Sequence, residues 1–397
     1  MESCEAPNTP RRISAGTGRR VGMVLAVIVV LTGGVLWWMG FGSYLQERLE
    51  YAGRTATFSG SSESLKQTVI VPTLDSPLPV GKNVIWCSSF QLAWNEVRDE
   101  VVGAPLEVIG AEEVAARLNV APQSASDLDE ESVYAAGGWV EKGIREKIRR
   151  EMATKFPSHV LPDFNDFNGG ILSYSYLTAN VPFKHPFRQM EKALTFTDSQ
   201  GIQTQVAGFG LWQAYLRGYK NMREQVEIVY VVWEDRDQRE ELKEYALDLC
   251  RQSKPCQVVV AAVKPRGSLA ETLEHIRTQT ADFKKLPWYE EERRFGGNDE
   301  LEVPDMCWRI DHRPKELIGK LVANVDPPMP IVEVLQTIEF RLDRCGAVLE
   351  SESTVAITAT PRYFKFNRPF LVYMQKRGAA HPFFVMWVDN AELLVRK

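Results

Sequence analysis

The amino-acid sequence predicts an α+β domain over residues 66–397, preceded by one N-terminal transmembrane helix. Strand-like and helix-like segments follow one another without the regular βαβ alternation of a parallel α/β sheet. A charge-free segment near the N-terminus is long enough to cross a bilayer. The most apolar strand signals, "PFLVYM" (369–374) and "FFVMWV" (383–388), lie near the C-terminus and indicate a buried hairpin.

Composition and charge restrict the classes of function. Of the 397 residues, 44% are hydrophobic and 25% are charged, which is typical of a globular protein. The formal net charge of −5 gives no electrostatic reason to expect a nucleic-acid partner. The five histidines are scattered, and neither a G-x-x-x-x-G-K-[ST] loop nor a G-x-S-x-G motif occurs. We therefore predict no catalytic residue, no metal site and no cofactor, in a protein that is not an enzyme.

The transmembrane prediction comes from residues 21–39, "VGMVLAVIVVLTGGVLWWM", which are 19 residues without a charge. As a helix they measure about 28 Å, close to the thickness of the hydrocarbon core. A cleaved signal peptide is the alternative interpretation. It is disfavoured because the apolar run is long and "LWWMGFGSYL" offers a poor cleavage site.

The charges around this segment predict its orientation. Four basic residues precede it, namely Arg11, Arg12, Arg19 and Arg20. The positive-inside rule then makes residues 1–20 a cytoplasmic tail and residues 21–42 a single-pass anchor in the cytoplasmic membrane. Residues 43–65 become a linker, and the domain at 66–397 lies outside.

Six cysteines are present, and Cys4 belongs to the predicted cytoplasmic tail. The other five lie outside, in a compartment that can permit disulfides. Cys250 and Cys256, in "CRQSKPC", are the best candidates for a bridge. Because five is odd, at least one thiol stays free or pairs between chains. Buried, unbridged thiols are an equally good interpretation for the remaining three, Cys87, Cys307 and Cys345.

Local patterns predict the elements in order along the domain. Helices are predicted at 88–102 with a serine cap, at 110–119, at 143–156, at 234–255, at 268–277 with Ser268 as cap, at 313–322 and at 331–342. Strands are predicted within 169–183, 192–209, 225–233, 257–265 and 301–310, besides the C-terminal hairpin.

The block "FKFNRPFLVYMQKRGAAHPFFVMWV", through Phe366, Asn367, Arg368, Pro369 and Phe370, resembles the C-terminal signature of the serpin family. Several upstream blocks, such as "SYLTANVPFKHPFRQMEKALTFTDSQGIQTQVAGF", are similar in the same order over roughly residues 66–397. The resemblance implies a serpin-like fold in which the terminal hairpin forms the middle of a buried sheet, with both faces apolar.

The segment "GAVLESESTVAITA" (346–359) is similar to the hinge that precedes the serpin reactive loop. The hinge-like and loop-like positions are Glu350, Glu352, Ser353, Thr354, Ala356, Thr358, Ala359 and Arg362. In the family, a protease cuts this loop and is trapped when the cut segment inserts as a new strand of the large sheet.

The chain departs from the family pattern in three places. Only "YLQERLEYAGR" could stand for the usual first helix of the domain. Where the family has a helix across its large sheet, only "NDFNG" (165–169) remains, unless "WVEKGIREKI" (139–148) is that helix. Residues 350–365 number only sixteen; fully extended they reach about 53 Å, against a domain diameter of about 50 Å. An inserted strand would use them all, so we predict that trapping does not occur.

Three hypotheses of function follow. The first is a membrane-anchored, non-inhibitory serpin-like protein that acts as an extracytoplasmic binding or scaffold module. The second is a serine-type protease inhibitor with a short reactive loop around Arg362. The third, an enzyme of unknown type, has no site to support it. The implied partners are the membrane, through residues 21–42, and another protein, with a protease as one candidate.

Overall fold

The computed structural model describes residues 56–397, except positions 165, 180, 182, 214–215, 236–240 and 346–360. The predicted cytoplasmic tail and transmembrane helix therefore lie outside the described residues, as do Cys4 and all the loop-like positions before Arg362. Over the residues that are described, no helix is both long enough and apolar enough to cross a membrane.

Twenty strands carry most of the described fold. They are β1 (Phe58–Ser61), β2 (Thr68–Ile70), β3 (Asn83–Cys87), β4 (Val108–Ile109), β5 (Val133–Trp139), β6 (Ile171–Ala179), β7 (Arg188–Gln189), β8 (Leu194–Thr197), β9 (Gln203–Val206), β10 (Gly208–Leu211), β11 (Glu227–Trp233), β12 (Leu242–Asp248), β13 (Cys256–Ala262), β14 (Glu300–Pro304), β15 (Met306–His312), β16 (Leu321–Val322), β17 (Met329–Leu342), β18 (Tyr363–Lys365), β19 (Phe370–Lys376) and β20 (Phe384–Val388).

The helices are shorter and lie between these strands. They are α1 (Ser88–Glu96, continued by the π-helical Val97–Val102), α2 (Glu112–Val120), α3 (Ile144–Lys155), α4 (Lys220–Gln225), α5 (Leu269–Lys284) and α6 (Tyr289–Glu292). Short 3₁₀ turns occur at Ser62–Ser64, Ala125–Asp127, Glu130–Ser132, Val140–Lys142, Arg217–Tyr219 and Ala391–Leu393. The predicted α+β class is confirmed.

Sheet I is the large mixed sheet, with strand order β5-β6-β17-β15-β1. Its longest strand, β17, is antiparallel to β15 and parallel to β6. The short strands β16 and β4 extend the sheet beside the start of β17. Strand β1 lies within residues that the sequence analysis assigned to the linker, so the folded part begins earlier than residue 66.

Sheet II contains the C-terminal hairpin, with strand order β11-β12-β13-β19-β20-β3-β2. Strands β19 and β20 pair with each other and are enclosed by β13 and β3, so they occupy the middle of the sheet. Phe370, Val372 and Trp387 are all buried. The prediction of an apolar hairpin in the middle of a buried sheet is confirmed, because side chains on both faces are covered.

Sheets I and II pack face to face through aromatic side chains. Phe340 of β17 stacks on Phe384 of β20, with ring centroids 4.6 Å apart. Trp308 of β15 lies 5.3 Å from Phe340 and 6.2 Å from Phe384.

Sheet III, with order β18-β14-β10-β7, and the separate β8–β9 ribbon complete the strands. The ribbon falls where the predicted strand signal at 192–209 lies.

Three predicted helices are wrong. Residues 331–342 belong to strand β17, and the stretch 313–322 forms turns and then β16. Within 234–255 the described residues include β12, a strand between β11 and β13. The mainly apolar run at 331–342 has no period that separates a buried strand from a buried helix. In all three stretches, pairing with neighbouring strands decides the structure.

Helices α5 and α1 differ in whether a side chain caps their first turn. Helix α5 is capped by Ser268, whose Oγ accepts a hydrogen bond from the Glu271 amide at 3.2 Å, as predicted. Helix α1 starts without a side-chain cap, because Ser88 is already helical.

Cys250 and Cys256 are not bridged. The Cys250 Sγ accepts a hydrogen bond from the Val258 amide at 3.1 Å, and burial raises the pKa of the Cys256 thiol to about 11.

Candidate functional site

The candidate site is the connection between β17 and β18, which contains the reactive-loop-like residues of the sequence analysis, together with the junction of β6 and β17 in sheet I. The connection leaves β17 after Leu342 and reaches β18 at Tyr363. At its start, the Asp343 carboxylate pairs with Arg341 at 2.6 Å and accepts a hydrogen bond from the Cys345 amide at 2.7 Å. The first residues of the connection are therefore fixed to the end of β17.

At the other end, Arg362 forms what we call the anchor, with Glu292, Arg294 and Asp299. Its Nη1 donates to the Glu292 side-chain and main-chain oxygens, each at 2.9 Å. Its Nη2 donates to the Arg294 carbonyl and to Asp299 Oδ2, both at 2.6 Å. Its Nε donates to both Asp299 carboxylate oxygens, at 3.1 and 3.2 Å.

The side chains of Arg362, Glu292 and Asp299 are largely buried, and the hydrogen-bond donors of Arg362 are all used. The exposed fractions of the side chains are 11% for Arg362, 10% for Glu292 and 4% for Asp299. All five N–H groups of a guanidinium are committed in this arrangement. The Arg362 main chain is fixed too, since its amide donates to Asp299 and its carbonyl accepts from the Glu300 amide.

The residues of the C-terminal signature follow the anchor directly. Phe366 and Phe370 are buried with ring centroids 5.4 Å apart. The Asn367 carbonyl accepts a hydrogen bond from the Thr197 amide at 2.9 Å, which ties the signature to the β8–β9 ribbon. Arg368 is exposed, and Pro369 is half-buried. The aromatic positions of the signature therefore pack into the core.

The seam is the junction of β6 with residues 331–340 of β17. The two strands pair directly and in parallel from Ile171 opposite Ile331 to Ala179 opposite Phe340, over nine residue pairs. At about 3.3 Å per residue the seam is about 30 Å long. This is shorter than the about 50 Å assumed from the domain diameter, so residues 346–360 are long enough to fill it. Length alone does not exclude insertion.

Side chains also bridge the seam. The Tyr176 hydroxyl of β6 donates to Glu339 Oε2 of β17 at 3.1 Å. The His159 ring contacts a side chain of each strand, with Nδ1 3.3 Å from Glu339 Oε1 and Nε2 3.1 Å from the Tyr174 hydroxyl. Burial raises the pKa of the Glu339 carboxyl, but the hydrogen bonds from His159 and Tyr176, with Arg309 nearby, lower it overall. The carboxylate is thus held in its charged form by the bridge.

Residues 156–164, which we call the crossing segment, lie over the seam. Phe156 and Phe164 contact the rings of Tyr176 and Tyr174 edge-on, at 4.7 and 5.7 Å. Two arginines hold the segment from the far side: Arg309 donates to the Val160 carbonyl at 2.8 Å, and Arg313 donates to the Asp163 carbonyl at 3.2 Å.

Helix α3, just before the crossing segment, packs on the same face of sheet I. Its buried Ile144, Ile148 and Met152 form a cluster with side chains of β5 and β6. Between 161 and 170 the described residues contain no helix. Both alignments expect this, so it does not decide between them. Residues 139–148 divide into the last residue of β5, a 3₁₀ turn and the start of α3.

The sequence analysis identified Arg362 and the aromatic signature, but not Tyr176, His159, Glu339, Glu292 or Asp299. One signal was available for β17. The stretch "IVEVLQTIEF" carries two carboxylates in an otherwise apolar run, and a buried carboxylate requires a partner. Glu333, which is fully buried, indeed pairs with Arg313 at 2.8 Å. No comparable signal indicated the anchor, since Glu292 and Asp299 lie more than sixty residues before Arg362 in the sequence.

Comparisons with known proteins find similar solved structures. No protein-family profile and no curated protein sequence matches the chain. Among solved structures it is similar to thyroxine-binding globulin in complex with thyroxine, at a TM-score of 0.46 and 11% identity, over 78% of this chain and 93% of that one. It is also similar to Serpin48 of the insect Tenebrio molitor, at a TM-score of 0.45 and 13% identity, over 78% and 92% of the two chains. Native protease nexin-1 with heparin gives a TM-score of 0.44 and 10% identity over the same shares.

Proposed function

We propose that this chain is a serpin-like binding protein, held at the cytoplasmic membrane by residues 21–42, whose large sheet does not open to trap a protease. The observation that carries the proposal is the closed seam: β6 and β17 pair over nine residues, and a Tyr176–Glu339–His159 bridge crosses them. The anchor supplies the second support.

Trapping requires a new strand between β6 and β17. An inserted strand would replace the broken backbone hydrogen bonds with new ones, because it pairs on both sides. The side-chain bridge would not be replaced. One added strand moves the two strands apart by about 4.8 Å, so the 3.1 Å bond between Tyr176 and Glu339 could not persist. His159 could then contact either Glu339 or Tyr174, but not both.

The crossing segment adds a second obstacle. It contacts β6 through Phe156 and Phe164, while Arg309 of β15 holds it from the other side. Widening the seam increases the distance between these two attachments. Either the aromatic contacts or the arginine hydrogen bonds must therefore break. Their loss adds to the free energy that is needed to separate β6 from β17.

Arg362 is unsuited to be a bait residue. A trypsin-type protease must draw the arginine side chain into its own specificity pocket. Here the guanidinium would first have to leave Glu292 and Asp299, which would remain as buried carboxylates without this partner. An inhibitor would need a bait within residues 346–360 instead. The resemblance of the C-terminal signature to that of serpins, without this use of the loop, supports a framework kept for binding.

The experiment that tests the proposal looks for a covalent complex. The full chain, purified in mild detergent, is incubated with a trypsin-type and with an elastase-type serine protease, and the products are separated in denaturing gels. We expect cleavage products only, whereas an inhibitory serpin run in parallel gives a denaturant-resistant band. A band that contains both this chain and the protease would overturn the proposal in favour of inhibition.

A further inference from the structure

A cavity of about 200 Å³ lies beside the anchor, on the edge of sheet II. Its lining includes Val231, Val232 and Trp233 at the end of the edge strand β11, Phe283 and Leu286 at the end of α5, and Trp288 just before α6. These residues are aliphatic and aromatic, and two of them carry indole rings. Because successive side chains of a strand point to opposite faces, the main chain of β11 also contributes to the lining.

One charged side chain borders the cavity, and it is already paired. Glu292 lines the cavity and at the same time pairs with Arg362 at 2.9 Å. Because Arg362 also pairs with Asp299 at 2.6 Å, these three side chains together carry one net negative charge. An anionic ligand would have to lose its hydration against mainly aliphatic and aromatic residues without a free positive charge from Arg362, which is unfavourable.

From this lining we infer that the cavity is a binding site for a flat aromatic compound of one or two fused rings that carries no negative charge. The size follows from the volume, because an apolar protein cavity of about 150 Å³ accepts benzene. The shape follows from the lining, because aromatic rings pack favourably in offset or edge-on arrangements against other rings. Glu292 places this site next to the end of the β17–β18 connection, since the same residue lines the cavity and holds Arg362.

This inference deepens the proposed binding function by naming a ligand class, but it does not depend on the absence of protease trapping. Either result of the covalent-complex experiment leaves the cavity and its lining unchanged. Conversely, a failure to bind aromatic compounds would leave the closed seam and the anchor as they are. The two proposals can therefore fail separately.

The test is a titration of the full chain with 5-fluoroindole, followed by ¹⁹F NMR of the ligand. An anionic compound of similar shape, 5-fluoroindole-2-carboxylate, is titrated in parallel. Leu286→Trp and Val232→Phe each fill the cavity with a larger side chain. Ile202→Trp is the matched control, because it adds an indole at the exposed ribbon turn, outside the cavity lining. All four proteins share the same detergent background.

We expect saturable binding of 5-fluoroindole to the wild type and to I202W, with affinity at least tenfold weaker in both filled variants. The anionic compound should bind the wild type at least tenfold more weakly than 5-fluoroindole. Circular dichroism establishes that each variant is folded, and V232F decides alone if L286W does not fold. Absence of saturable binding to the wild type, undiminished binding to the filled variants, or equal binding of the anionic compound would each overturn the inference.

Discussion

The Tyr176 hydroxyl and the Glu339 carboxylate form a 3.1 Å hydrogen bond that joins β6 to β17 across the seam. Burial, together with the nearby Glu339 charge, raises the pKa of Tyr176, so the phenol remains a donor. The bond is one that an inserted strand could not preserve. Its strength can be measured by removing only the hydroxyl.

Tyr176→Phe should lower the free energy of unfolding by about 1–2 kcal/mol, because a partly buried hydrogen bond to a charged acceptor is lost while the ring is kept. Urea denaturation at pH 7.5 measures the change. Tyr363→Phe is the matched control, since Tyr363 is half exposed on β18, and it should change stability by less than about 0.5 kcal/mol. Equal effects of the two substitutions would show that the seam bond contributes nothing specific.

The anchor should be much more sensitive than the seam. Arg362→Ala removes the shared partner of Glu292 and Asp299, two carboxylates that are 10% and 4% exposed, and should cost about 3–5 kcal/mol. Arg362→Lys should recover only part of this loss. The ammonium restores the positive charge, but it cannot reproduce the planar fork of the guanidinium. Arg368→Ala, at an exposed position nearby, is the control. If R362A were as stable as R368A, the anchor would have no structural role.

His312 predicts how stability depends on pH. Burial lowers the pKa of His312 to about 4, although Glu63 nearby raises it slightly, and the imidazole nitrogen Nδ1 lies 2.9 Å from the Ser62 hydroxyl. The unfolded chain binds a proton at this residue below about pH 6.5 while the folded chain does not, so stability falls as the pH decreases from about 6.5 to about 4. The whole window corresponds to about 3 kcal/mol.

His312→Asn removes the titrating group and keeps a polar side chain near Ser62. Between pH 7.5 and pH 5 the wild type should lose about 2 kcal/mol more unfolding free energy than H312N, measured by urea denaturation at both pH values. Carboxylates titrate alike in the two proteins and cancel in the difference. Parallel losses in wild type and variant would mean that His312 takes up its proton equally in the folded and unfolded states.

The membrane topology is open to a direct test. If residues 21–42 anchor the chain with residues 1–20 in the cytoplasm, a C-terminal epitope is accessible from outside the cell. Trypsin added to intact spheroplasts should then remove the epitope without lysis, whereas a cytoplasmic marker protein stays intact. Protection of the epitope would contradict the topology. A mature chain that begins after residue 40 would contradict the anchor, in favour of a cleaved signal peptide.

The sequence predicted the parts of the fold that depend on local patterns. The C-terminal hairpin carries its own evidence, since Phe370 and Trp387 belong to two apolar runs joined by a short polar turn. The cap of α5 is likewise local, with Ser268 three residues before Glu271. Strands β12 and β17 were mistaken for helices because their pairing partners, not their own residues, decide between the two structures.

The candidate site was less predictable than the fold, because it too depends on partners that are distant in sequence. Arg362 was identified as a loop residue, yet its role follows from Asp299 and Glu292, which are 63 and 70 residues away in sequence. His159 reaches Glu339 across 180 residues. Contacts of this kind are produced by the packing of sheets, and a single sequence carries no record of which distant charges will meet.

The last prediction concerns a cut in the β17–β18 connection. An elastase-type protease that cuts after Ala356 or Ala359 would leave a segment long enough to fill the seam, since the seam has nine residue pairs. In an inserting serpin such a cut releases strain and raises the melting temperature strongly. Here insertion would first have to break the Tyr176–Glu339 bond and detach the crossing segment from Arg309 or from β6.

We therefore expect the melting temperature of the cut chain to stay within a few degrees of that of the intact chain, as followed by circular dichroism after mass spectrometry has located the cut. Glu339→Gln combined with Tyr176→Phe provides the informative variant, because it weakens the bridge without touching the connection. If the bridge is what keeps the seam closed, the cut double variant should gain stability while the cut wild type does not. A rise of tens of degrees in the cut wild type would mean that the seam opens readily, and the inhibitor hypothesis, with a bait residue other than Arg362, would replace the binding function.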